Sequence, residues 1–157
     1  GARPLGDGSV RRPGFVLTPH EGEAAALLRR PVEEVTADRW DAARSLADRT
    51  RAVVLLKGRH TAVAAPSGPV LVIGAGTPAL ATAGTGDVLA GNIAALAAQK
   101  LAPAEAAALA AYLHGVAGEL ASPDPGGLGL RARDVADHWP AAIRQLRLGY
   151  RRPGMAG

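Results

Sequence analysis

The chain has 157 residues, enough for one ordinary domain, and its 48% hydrophobic and 20% charged residues are the balance of a folded protein rather than a disordered one. The absence of cysteine excludes disulfides, thiolate metal sites and a cysteine nucleophile. The formal charge of +4 comes from arginines spread from Arg3 to Arg152, with no interleaved aromatics to stack bases; this speaks against nucleic acid and for attraction of a small phosphorylated molecule.

In chain order, residues 1–14 are rich in Gly, Pro and Arg, hold no apolar signal-peptide core and read as a disordered lead-in. Phe15-Val16-Leu17 is a short apolar run stopped by Thr18-Pro19, the pattern of a buried strand ending in a loop. Glu21 to Leu28 reads as a short helix. A second helix is expected from Thr36 to Arg49, with Thr36 as N-cap and Trp40, Ala43 and Ala47 on one face. Ala52 to Leu56 is apolar throughout and suits a central strand covered on both sides. Thr61–Ala65 and Val70–Ile73 flank Pro66-Ser67-Gly68-Pro69 and predict a hairpin.

A glycine-rich loop from Gly74 to Gly86 then leads into an apolar helix, Asp87 to Ala98. Pro103 fits the first position of the next helix, whose Leu109, Leu113, Val116 and Leu120 form a stripe. Residues 122–129 read as a Pro/Gly loop. One or two helices follow from Asp134 to Leu146, with Pro140 as a break, and residues 148–157 read as a flexible tail. No apolar stretch resembles a membrane span, so a cytoplasmic protein without membrane association is expected. Strand, helices, strand, hairpin and then consecutive helices predict a layered α/β domain.

The chemistry concentrates at Gly84-Thr85-Gly86-Asp87. The glycines let the backbone fold tightly enough to aim several N–H groups at one spot before a helix, an arrangement that holds phosphate oxygens. Asp87 sits at the head of that helix, where a negative charge is favoured and a carboxylate could accept a proton from a substrate hydroxyl. The alternative is a glycine loop whose aspartate merely caps a helix. Lys57, one of two lysines against sixteen arginines, ends the best strand, where its charge could reach phosphates. Gly58 and Thr61 allow close approach and a hydroxyl contact. His20 follows a strand and a Thr-Pro turn and should project into a cleft, or bond to its own loop. Glu23 reads as a helix cap rather than a magnesium contact, and His114 as a satisfied packing histidine. His60 and His138 carry no signal by themselves.

Gly84-Thr85-Gly86-Asp87 with Val88-Leu89-Ala90-Gly91 resembles the G-[TS]-G-D signature of the ribokinase-like superfamily. Leu17 to Glu23 (LTPHEGE), Leu56 to Thr61 (LKGRHT) and His114 to Gly118 (HGVAG) resemble, in order, three motifs of its carbohydrate-kinase-like branch, which holds the NAD(P)H-hydrate dehydratases. Together they cover Phe15 to Val135. The resemblance implies a three-layer α/β/α fold with a mainly parallel sheet over residues 15–147, and a cytoplasmic enzyme that removes water from NADH hydrate or NADPH hydrate at the expense of ADP or ATP with Mg2+. It implies Lys57, Gly58, Arg59, His60, Thr61, Gly84, Thr85 and Gly86 as nucleotide contacts, His20 and Asp87 as substrate contacts, and Asp87 as the catalytic base; it marks no protein metal cage.

The sequence also departs from that pattern. Ile73 to Ala81 lacks the usual asparagine, and residues 1–14 hold neither the family's substrate-side glycine loop nor its D-A-D motif. The sequence therefore predicts a C-terminal half, with an open apolar edge at Phe15–Leu17 that favours a homo-oligomer or aggregation and leaves the isolated chain without activity. Two other readings stand beside the dehydratase: a hydroxyethylthiazole or hydroxymethylpyrimidine kinase-like enzyme, and a non-catalytic nucleotide-binding module.

Overall fold

A computed structural model describes residues 14–122 and 129–149. The expected lead-in over residues 1–13, most of the loop over 123–128 and the tail from 150 onward lie outside these described residues.

The apolar run at the centre of the sequence forms β2 (Val53–Leu56), whose side chains are all buried. Pleating sends Val53 and Leu55 to one face and Val54 and Leu56 to the other, so two separate cores form on this strand. Its neighbour β1 (Val16–Leu17) runs parallel to it, pairing Val16 with Val53. The predicted hairpin forms as β3 (Thr61–Ala64) and β4 (Val70–Ile73), giving the order β1-β2-β3-β4. Both hairpin pairings are antiparallel, so the sheet is mixed in the described residues.

One face is covered by three helices: α1 (Glu21–Leu28), α2 (Val32–Ala37) and α3 (Arg39–Thr50). Their Ala24, Leu28, Val35, Ala43 and Leu46 pack with Val54, Leu56, Ala62 and Ala64. The single helix expected from Thr36 is thus two helices. Thr36 bonds back to the Val32 carbonyl inside α2, and the cap of α3 is Asp38, whose Oδ1 accepts from the Asp41 amide at 2.9 Å. The buried face of α3 is Ala42, Ala43, Leu46 and Ala47, and Trp40 remains 38% exposed.

The other face carries α4 (Thr85–Ala98), α5 (Pro103–Ala121) and α6 (Ala132–Arg147). These pack Leu89, Ile93, Val116, Val135 and Trp139 against Val53, Leu55 and Val63. Leu113 and Val116 of the expected α5 stripe are buried, whereas Leu120 is half exposed. Pro140 does not break α6: it lies on the exposed side, where solvent can serve the freed carbonyl, while Val135, Trp139 and Ala142 hold the inner side. Helices on both faces of one sheet make the three-layer α/β/α arrangement.

Helix α5 accommodates the loop before α4 by having no side chains in its way. A Cβ on Gly115 would lie 2.5 Å from the Ala75 carbonyl, and one on Gly118 would lie 2.7 Å from Leu80. Glu119 adds a polar anchor, accepting a 2.7 Å hydrogen bond from the Gly76 amide. A 3-10 turn over Pro78–Ala81 follows. Gly115→Ala is therefore expected to cost roughly 1–3 kcal/mol, because the methyl meets main chain that cannot rotate away. Urea denaturation measures this, and an unchanged midpoint would show that the loop is not seated on α5.

His114 lies on the same helix. It is buried, but its Nδ1 has no partner among the described residues, so it packs without being satisfied. Burial draws its pKa down to about 4 from the ordinary 6.5. The unfolded chain therefore takes up this proton first as pH falls. The stability linked to neutral His114 is complete above about pH 6.5 and is lost toward pH 4, a change of about 3 kcal/mol. His114→Leu should flatten that part of the stability profile. Parallel profiles for the two proteins from pH 7 to 4 would refute the assignment.

Candidate functional site

The site forms where three segments leave the sheet and helices at the same end. The first is the turn after β1, in which Pro19 is buried and its carbonyl accepts a 2.8 Å hydrogen bond from the Lys57 amide. That bond continues the β1–β2 pairing past both strands and ties residues 18–23 to residues 57–61. His20 then caps α1. Its Nδ1 accepts from the Glu23 amide at 3.2 Å, and the Glu23 carboxylate accepts from the His20 amide at 2.8 Å. This reciprocal capping box satisfies two amides that the first turn leaves without helical partners. Glu23 has the capping role expected of it. His20 bonds to its own loop, yet its side chain remains 60% exposed.

The second segment leaves β2 at Lys57. Its ammonium is half-buried, 4.0 Å from the Glu23 carboxylate. It also reaches the head of α4: a Cβ on Gly86 would lie 3.5 Å from Nζ. Gly58, Arg59 and His60 form an exposed turn, and Thr61 opens β3, half-buried and paired with Ile73.

The room expected at Gly58 for a ligand is taken by protein. A Cβ there would overlap the guanidinium of Arg39, the first residue of α3. Arg39 donates to the His60 carbonyl at 2.8 Å and to the Leu56 carbonyl at 3.4 Å. Its Nε lies 2.9 Å from Glu21, an ion pair whose N–H does not point at the oxygen. Sequence reasoning missed both Arg39 and Glu21, and nothing in the pattern distinguishes Arg39 from the other arginines.

The third segment is the loop into α4. Gly84 is its N-cap with φ +85°, a left-handed conformation that glycine adopts without a Cβ penalty. The Thr85 side chain is buried and its hydroxyl donates to the Leu80 and Thr82 carbonyls at 2.7 and 2.8 Å, so it braces the loop from within. The Thr85 and Asp87 amides turn toward the Thr82 and Gly84 carbonyls. Among the described residues this leaves the Gly84 and Gly86 N–H groups without an acceptor, at the positive end of a 14-residue helix. Asp87 stands in the first turn, exposed, and its carboxylate makes no hydrogen bond or ion pair among the described residues.

Lys57 thus links the two sides of the site, His20 and Glu23 on one and Gly86 and Asp87 on the other. A cation beside Gly86, at a helix N-terminus with two free amides, is suited to phosphate oxygens, and an unpaired carboxylate in the first turn is suited to proton transfer.

Comparison with known proteins gives the family. Residues 6–141 match the family model described as NAD(P)H-hydrate dehydratase. The chain is 45% identical over 139 residues to the bifunctional NAD(P)H-hydrate repair enzyme Nnr of Thermofilum pendens, an alignment covering 88% of this chain and 26% of that protein. It is 44% identical over 129 residues to the ADP-dependent (S)-NAD(P)H-hydrate dehydratase of Neisseria meningitidis serogroup B, covering 82% of this chain and 43% of that one. Among solved structures, the ADP/ATP-dependent NAD(P)H-hydrate dehydratase of Bacillus subtilis, co-crystallized with ATP/Mg2+, superposes with a TM-score of 0.78 at 34% identity; 83% of this chain and 48% of that chain are covered. The chain spans less than half the length of each of these relatives. The match over residues 6–141 and the shared fold place this chain in the NAD(P)H-hydrate dehydratase family, of the ribokinase-like fold.

Proposed function

We propose that this chain forms the nucleotide-binding side of an ADP-dependent NAD(P)H-hydrate dehydratase acting in the cytoplasm. The observation that carries the reading is the Lys57 ammonium standing beside Gly86 at the head of α4, where the Gly84 and Gly86 amides are uncommitted among the described residues. Lys57 and the Gly84 and Gly86 N–H groups would hold nucleotide phosphates, with residues 58–61 along the nucleotide. Mg2+ would arrive with the nucleotide, offsetting phosphate charge, as this ion commonly does. Asp87 would accept the proton of the ring hydroxyl as that oxygen takes the terminal phosphoryl group of ADP and AMP is released; departure of phosphate together with a proton from the adjacent ring carbon would then restore the double bond of the nicotinamide ring. His20 would face the NADH or NADPH hydrate. Among the described residues no strand pairs with the outer edges of β1 and β4, which favours pairing with a second copy in a homo-oligomer.

Lys57→Ala is expected to weaken ADP by about ten- to a hundredfold, the value of one charge-assisted hydrogen bond of roughly 1.5–3 kcal/mol, and to weaken the hydrated dinucleotide less. Calorimetry with each ligand measures this; equal losses would place Lys57 elsewhere. Asp87→Asn should lower turnover by a hundredfold or more and leave ADP affinity within about several-fold. The assay follows recovery of NADH from its hydrate with ADP and Mg2+, in a protein that joins this chain to the remaining length its relatives have. Near-normal turnover by that variant would remove Asp87 from the chemistry. ATP with hydroxyethylthiazole or hydroxymethylpyrimidine tests the kinase reading. Binding of ADP with no turnover of any of these would favour a binding module.

A further inference from the structure

Arg39 is an unusual arginine for a surface helix: its side chain is only 11% exposed, its guanidinium lies 5.7 Å from the centre of the neighbouring Trp40 ring, and its polar contacts all go to other segments. Its two donors go to the Leu56 and His60 carbonyls, which bracket the turn over residues 57–60. Its remaining nitrogen meets Glu21, the first residue of α1, next to the His20 cap. The guanidinium fills the space a side chain at Gly58 would need. Lys57 itself ties the same turn to the segment before α1, by its amide bond to the Pro19 carbonyl and by its ammonium 4.0 Å from Glu23. Gly58, Arg59 and His60 are exposed and have no other anchor in the described residues.

We propose that Arg39 is a positioning residue for the nucleotide site: its guanidinium fastens the turn over residues 57–60 to the start of α1, so that the Lys57 ammonium already stands beside Gly86 before nucleotide arrives. This rests on the nucleotide-binding reading above. Arginine is required because a planar fork delivers several donors in fixed directions, whereas a lysine in the same place offers a point charge on a flexible stem. A turn released from this hold places Lys57 correctly only part of the time, and apparent affinity falls by that fraction.

The test uses the full chain, unliganded and with ADP. Backbone 15N order parameters over residues 58–60 should be those of rigid backbone, about 0.85, in the parent, and fall below about 0.6 in Arg39→Lys, with α5 and α6 unchanged. ADP should bind that variant about tenfold more weakly. Lys57→Ala, costing about tenfold or more in the parent, should cost less than about threefold in the Arg39→Lys background, because the two act as one unit. Gly58→Ala pushes the guanidinium away from the other side and should reproduce the loosened turn, a check that does not depend on how Arg39→Lys folds. Unchanged order parameters in both variants, or additive losses of ADP affinity, would overturn the proposal. A parent chain that binds no ADP would overturn the nucleotide reading instead, since the order parameters are measured without ligand.

Discussion

Strand β2 gives all four of its side chains to the interior, Val53 and Leu55 to one helical layer and Val54 and Leu56 to the other. Water cannot reach its main chain, so both edges must be paired, and β1 and β3 do so. Each fully buried Val or Leu stabilises the fold by roughly 1.5–3 kcal/mol relative to exposure, which makes the strand's position hard to shift. The chain leaves this dry environment at Lys57, the first position where a charge can reach water. The place of the cation is thus a consequence of where the core ends.

The opposite wall of the site depends on small side chains. Helix α5 brings Gly115 and Gly118 against Ala75 and Leu80, so the loop over residues 74–84 lies directly on the helix. The buried Thr85 hydroxyl and the Glu119 carboxylate then satisfy the loop's polar groups from inside. Among the described residues the Gly84 and Gly86 N–H groups and the Asp87 carboxylate are left without partners at the head of α4. The sheet side and the helix side are built independently and meet at the Lys57 ammonium.

Much of this was legible in the sequence because it follows from local chemistry. The apolar run from Ala52 to Leu56 suited a doubly covered strand, and Pro66-Ser67-Gly68-Pro69 marked the turn of the hairpin after it. Glu21 to Leu28 coincides with α1, and Glu23 caps it. The errors came from contacts distant in sequence or from neighbours of similar propensity. Asp38 competes successfully with Thr36 for the cap because α2 occupies residues 32–37. Pro140 is tolerated because one side of α6 faces out. His114 was expected to be satisfied, but only the packing around α5 reveals that Nδ1 meets no hydrogen-bond partner among the described residues. Gly58 looked like room for a ligand, and the guanidinium that fills the room comes from nineteen positions earlier in the chain. Spacing places residues on an element; it does not say which distant side chain lies behind them.

The histidine that caps α1 carries one more consequence. Its Nδ1 is committed as an acceptor of the Glu23 amide. A neutral imidazole has a single N–H, so the proton must sit on Nε2. The nearest carboxylate oxygen to Nε2 is at 3.6 Å, beyond hydrogen-bonding range. The exposed edge of His20 therefore offers a donor and refuses a donor: a carbonyl or phosphate oxygen is accepted there, while an N–H or ammonium group is turned away. The helix cap thereby fixes a chemical polarity at the rim of the site, through the same hydrogen bond that starts the helix.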